Sequence, residues 1–143
     1  MLKLLQTAEA WLRHPTVTKM ISFGVIGVAN AAIDFGVFSI AYQALNVPIV
    51  PANVAAWMVA VSCSYVMNTM ITFRAESGRQ LRRKDYFVFA ASGFLGMIAN
   101  TATLLVLSKV MPVYAAKICA IFTAFVVNFA MSHFVVFRAK PRN

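Results

Sequence analysis

ISFGVIGVANAAIDFGVFSIAYQA, residues 21–44, is the stretch that decides the fold. Its 24 residues contain one charged side chain, Asp34. At about 1.5 Å of rise per residue they exceed the ~30 Å of hydrocarbon in a bilayer. Three more stretches of the same kind follow: Val50–Phe73, Tyr86–Leu107 and Tyr114–Phe137. The chain therefore reads as an all-α membrane protein with four transmembrane helices. Residues 19–138 form the membrane domain and 139–143 a short cytoplasmic tail.

Composition points the same way. Hydrophobic residues make up 61% of the 143 and charged residues 12%, about half the charged share of a soluble domain. The net charge of +9 would suit nucleic acid, but its placement does not. Lys3, Arg13 and Lys19 precede the first span. Arg74, Arg79, Arg82, Arg83 and Lys84 separate the second from the third, and Arg138, Lys140 and Arg142 follow the fourth. Only Lys109 and Lys117 belong to the other side. Such asymmetry places both termini in the cytoplasm, with the cations meeting anionic headgroups.

The first 15 residues form a separate unit. Met1, Leu4, Leu5, Ala8, Trp11 and Leu12 share one helical face, and Lys3, Gln6, Glu9 and Arg13 the other. This pattern predicts a short amphipathic helix lying in the interface. A cleaved signal peptide is the rival, but polar residues interrupt its apolar core.

The spans form two similar helical hairpins. At a shift of 64 residues, Pro48, Ala52, Ala56, Ala60, Met67, Phe73 and Arg74 meet Pro112, Ala116, Ala120, Ala124, Met131, Phe137 and Arg138. Phe23 and Gly27 answer Phe89 and Gly93 at a shift of 66. A two-helix repeat keeps its orientation, so the halves should relate by an axis along the membrane normal. The alanine ladders, with Gly24, Gly27 and Ala31 in the first span and Gly93 and Gly96 in the third, predict close backbone packing.

Asp34 is the strongest candidate for chemistry. An aspartate near the centre of a span costs about 2.5–3.5 kcal/mol on insertion scales, so it should face the bundle interior, protonated or paired. Asn30 lies one turn away on the same face. Asn53, Ser64 and Asn68 form a polar stripe in the second span, Gly96, Asn100 and Thr103 in the third, and Asn128, Ser132 and His133 in the fourth. They either line a hydrophilic seam or tie helices together. Lys117 lies three residues into the fourth span, and its stem is expected to snorkel outward rather than reach Asp34. Arg74 and Arg138 stand at matching helix ends, placed to anchor the topology or hold a lipid phosphate. Cys63 and Cys119 fall inside spans as small packing residues. The chain carries no P-loop, zinc pattern or nucleophile elbow, so neither enzymatic activity, a cofactor nor a metal is expected.

Several motifs together resemble the GtrA-like family of small four-span membrane proteins. They are Phe23-Gly24-Val25-Ile26-Gly27 with Asp34 beyond it, Tyr65-Val66-Met67-Asn68 before Thr72-Phe73-Arg74, and Asn128-Phe129 before Val135-Val136-Phe137-Arg138. Ser132, His133 and Thr69 stand where members of that family often carry asparagine or a basic residue. The resemblance implies flipping of a polyprenyl-phosphate-linked sugar across a bacterial cytoplasmic (inner) membrane for cell-surface glycan synthesis. The substrate-binding residues it implies are Asn30, Asp34, Asn68, Arg74, Asn100, Asn128, Ser132 and Arg138. Its expected partners are that lipid, glycosyltransferases of the same pathway and a second copy of the chain, with the ladders as dimer contacts. Two other functions compete: a small proton-coupled multidrug-type exporter, and a scaffold that recruits a glycosyltransferase.

Overall fold

A computed structural model describes residues 14–131 together with positions 1, 6, 9 and 10. The interfacial helix expected over residues 1–15 lies almost wholly outside the described residues. The tail, Ser132 and Arg138 lie outside them too.

Proline and turn chemistry set the helix boundaries. Helix α1 (Pro15–Ser39) starts on a proline and runs on as a π-helical turn, Ile40–Ala44. Asn46 then adopts the left-handed conformation (φ 53°) that asparagine tolerates at a helix end. Pro48 caps α2 (Ile49–Met67), which also ends in a π turn, Asn68–Thr72. A four-residue helix α3 (Arg74–Ser77) leads into Gly78 and Arg79, at φ 58° and 57°. Helices α4 (Arg83–Leu107) and α5 (Val113–Met131) complete the chain, α5 beginning just past Pro112. Both expected proline starts are thus present, since a residue with fixed φ and no N–H suits a first helical turn.

Three stretches, Val17–Ala44, Ile49–Thr72 and Arg83–Leu107, are long and apolar enough to cross a bilayer; the fourth, Val113–Asn128, is shorter among the described residues. The four long helices form a ring. α1 packs on α2, α2 on α4 and α4 on α5, while the contact that closes the ring between α5 and α1 is slight among the described residues. The polarity is that of a membrane protein: Val28, Phe87, Phe94, Phe122 and Phe125 face outward, and Asp34, Asn53, Asn68, Asn100 and Lys117 are buried. Lipid tails are as apolar as leucine, so small and polar residues gather where helices meet.

The ladders follow this logic. Ala52, Ala56, Ala60, Ala116 and Ala120 are buried inside the chain's own bundle. They are therefore corrected as dimer contacts, because the surface they offer is already consumed by their neighbours. Gly24 and Gly27 are corrected in the opposite sense. Both are exposed, and a Cβ added at either would meet nothing within 4 Å among the described residues. Gly96 does bring elements close: an added Cβ there would lie 2.7 Å from the Asn128 amide carbon.

At one end of the ring, Phe38, Ala41, Ala52, Ala56, Leu104, Ala116 and Ala120 form an apolar cluster. The other end carries the α2–α4 connection and its basic residues. There Ser22 and Thr72 share a hydrogen bond of 2.9 Å, and Lys19 pairs with Glu76. The Tyr65 hydroxyl donates to the Arg82 carbonyl (3.0 Å) and accepts from the Arg82 N–H (3.1 Å), pinning the basic loop to α2. Tyr65→Phe removes that clamp, worth about 1 kcal/mol in a partly buried setting. Trypsin cleavage after Arg79, Arg82 or Arg83 is expected to quicken about fivefold; an unchanged rate would show that the loop is held elsewhere.

Candidate functional site

Four side chains, one from each long helix, join in a line across the ring. Asp34 Oδ2 on α1 lies 2.5 Å from Lys117 Nζ on α5. Lys117 Nζ donates to Asn53 Oδ1 on α2 at 2.6 Å. Asn53 Nδ2 donates to Thr101 Oγ1 on α4 at 2.9 Å, and that hydroxyl donates to the Met97 carbonyl. Lys117 and Asn53 are fully buried, and the Asp34 side chain is 12% exposed.

Lys117 does not snorkel, and that expectation is corrected. Its side chain runs inward past the Phe38 ring, whose centroid is 5.0 Å from Nζ, to Asp34 one turn farther along α1. A four-carbon stem bridges that offset of about 5.4 Å. Desolvating each ion costs several kcal/mol, which mutual attraction offsets only when hydrogen bonds use the remaining donors and acceptors. Lys117 meets that condition with a carboxylate, an amide oxygen and a ring face.

Some of these residues correspond to one another at the shifts read from the sequence. Asn53 and Lys117 are equivalent at the 64-residue shift, and they face each other across the ring. At the 66-residue shift Asp34 corresponds to Asn100. One half therefore supplies acid and amide where the other supplies amide and base. Lys117, Asn53 and Thr101 were absent from the predicted binding set; the 64-residue alignment was the available signal for the first two, and nothing in the sequence distinguished Thr101.

Of the predicted binding residues, Asp34 alone belongs to this line. Asn30, one turn from it, buries an Oδ1 that has no hydrogen-bond partner among the described residues, as do Asn68 and Asn100. Asn68 donates to the Ser64 carbonyl at 2.9 Å and to its hydroxyl at 3.3 Å, which leaves its own oxygen unused. Three buried acceptors without donors are unusual, because each forfeits about 1–3 kcal/mol. Asn128 lies across Gly96 and is exposed. Arg74 is exposed at the basic end, away from the buried line. Near it, Tyr65, Thr69, Phe73, Asp85, Val88, Phe89 and Ser92 line a cleft of about 370 Å³. Among the described residues no His, Cys, Asp and Glu cluster could hold a metal.

Helices of membrane-spanning length around a buried charged line define a polytopic membrane protein with a polar interior. Residues 22–137 match the GtrA/DPMS transmembrane domain, and the chain belongs to that family. It is 31% identical over 113 residues to a bactoprenol-linked glucose translocase of Shigella phage SfX, covering 79% of this chain and 89% of that one. The corresponding translocase of phage SfII is 29% identical over 118 residues, covering 82% and 93%. The uncharacterised membrane protein YngA of Bacillus subtilis is 34% identical over 94 residues, a match spanning 61% of this chain and 63% of YngA. No solved structure matches the chain.

Proposed function

We propose that this protein moves a polyprenyl-phosphate-linked sugar from the cytoplasmic to the outer leaflet of a bacterial inner membrane, for cell-surface glycan synthesis. The observation that carries this reading is the polar interior of the ring, with its charged line and its three asparagine oxygens that find no donor among the described residues. Sugar hydroxyls are the donors such oxygens need, and the tail of such a lipid can stay in hydrocarbon while its headgroup crosses. Membership of the family and likeness to two bactoprenol-linked glucose translocases support the same substrate class.

In this reading all four long helices span the membrane. The 19 described residues of α5 cover about 28 Å, and the eleven-to-two distribution of cations turns the basic end and both termini toward the cytoplasm. Arg74, with Arg138, receives the phosphate at that end, and Asn68, Asn100, Asn128, Ser132 and Asn30 accept the sugar. Glycosyltransferases of the same pathway and a second copy of the chain are the proposed partners. The exporter reading fits less well, because the similar translocases act on a bactoprenol-linked glucose. The scaffold reading predicts lost glycan synthesis with no lipid movement by the purified protein.

The test is reconstitution into vesicles holding a fluorescent polyprenyl-phosphate glucose. Protein should make the inner-leaflet pool accessible to an impermeant quencher, and Arg74→Ala should slow this about tenfold, as loss of one phosphate contact implies. Accessibility no faster than in protein-free vesicles would overturn the proposed function.

A further inference from the structure

The two hairpins are repeats, so the ring contains two equivalent seams: α2 against α4, and α5 against α1. They are built differently. In the α2–α4 seam Trp57 lies against Gly93, with Nε1 3.9 Å from where a Cβ would stand, and its ring packs edge-on to Phe94 at 6.3 Å. Asn53 and Thr101 also bond across it. In the α5–α1 seam the residue equivalent to Trp57 is Ile121, and the equivalent of Gly93 is Gly27, where an added Cβ would meet nothing within 4 Å among the described residues. A groove of about 300 Å³ lies there, lined by Ala31, Phe35, Ile118, Ile121 and Phe122 without a polar surface. Asp34 immediately precedes Phe35 and Lys117 immediately precedes Ile118 in the chain, so the ion pair joins the two helices that line the groove.

We propose that the α1–α5 groove is the binding site for the polyprenyl chain, and that Lys117 takes the lipid's phosphate in exchange for Asp34. This rests on the function proposed above and deepens it. Charge complementarity selects the occupant: an apolar tail fits a slot with no polar lining, and the buried Lys117, next in sequence to Ile118 of that slot, pairs among the described residues with the Asp34 carboxylate, which a phosphate can replace. The replacement keeps Lys117 paired in a low-dielectric interior, where an unpaired ammonium would be strongly disfavoured. It also gives Asp34 a role as the group that displaces the phosphate again, so that binding is reversible. The slight α1–α5 contact is where the lipid can enter sideways without unpacking a close helix pair.

Native mass spectrometry of the purified full chain tests this, with polyprenyl monophosphate, uncharged polyprenol and a diacyl phosphatidate as probes. Wild type should retain the first most strongly. Ile121→Trp gives this seam the side chain that closes its counterpart, and Ala31→Met fills the same slot with less bulk; each should weaken both polyprenyl probes about tenfold or more. Asp34→Asn removes the competitor for Lys117 and should tighten polyprenyl monophosphate about tenfold while leaving polyprenol unchanged, by the strength of a desolvated charge pair. Helical content by circular dichroism identifies the folded variants. Binding indifferent to both groove variants overturns the inference. So does Asp34→Asn weakening the phosphate probe, or phosphatidate binding as well as the polyprenyl form. A change in oligomeric state with Ile121→Trp would reassign the groove to a second copy. Groove-dependent binding without lipid movement in vesicles sinks the proposed function and leaves this site standing. Lipid movement with unaltered binding in the variants does the reverse.

Discussion

Lys117→Met is expected to destabilise the protein by about 3–5 kcal/mol, the largest effect of any single change at the site, because it leaves a buried carboxylate without its cation. Asp34 Oδ2 lies 2.5 Å from Nζ, and Asn53 Oδ1 loses its donor in the same substitution. The double variant Asp34→Asn/Lys117→Met should recover most of the loss, since removing both charges removes the desolvation they required. Equilibrium unfolding in detergent micelles of the wild type, both single variants and the double variant closes the cycle. A Lys117→Met protein as stable as the wild type would mean that the pair is solvated and that the buried line does not hold the ring together. By linkage, polyprenyl monophosphate should also stabilise Asp34→Asn more than wild type, because in that variant it supplies the missing anion.

Phe38→Ala is expected to be nearly as costly, at about 3–5 kcal/mol, and to open one end of the ring. Phe38 is fully buried at the centre of the apolar cluster, stacks on Tyr42 at 5.6 Å and 6°, and covers the path of the Lys117 side chain. Val37, Val47, Ile49, Leu107, Met111 and Val113 pack around that cluster. Its loss should admit water to the charged line from the end opposite the basic loop. A cysteine at Ala56, in a background without Cys63 and Cys119, should stay unreactive toward an impermeant maleimide in otherwise native protein and react once Phe38 is alanine. Equal labelling in the two backgrounds would show that Phe38 does not seal this end.

These two residues illustrate how unevenly the site was legible. Asp34 stood out from sequence because a carboxylate in a 24-residue apolar stretch demands an explanation. Lys117 did not, because a lysine three residues into a span ordinarily reaches back to the headgroups. Its inward course depends on the relative heights of α1 and α5, and those follow from how loops and prolines set each helix start. Asn30, Asn68 and Asn100 were legible as a polar stripe, but a stripe does not say whether its oxygens find donors, and here they do not. Gly24 and Gly27 misled for the opposite reason: small residues permit close approach without requiring it, and among the described residues nothing comes within 4 Å of a Cβ at either.

What the sequence determined by itself was the solvent and the all-helical class, with long apolar helices. Span length and charge placement are one-dimensional quantities that the bilayer reads directly. Only the tertiary structure decided which helices touch, that Asp34 and Lys117 meet, and that one seam of the ring is closed by Trp57 while its equivalent is left as a groove. Those outcomes depend on rotation and height of whole helices, set by side-chain volumes summed over many contacts. No single position in the chain carries that information.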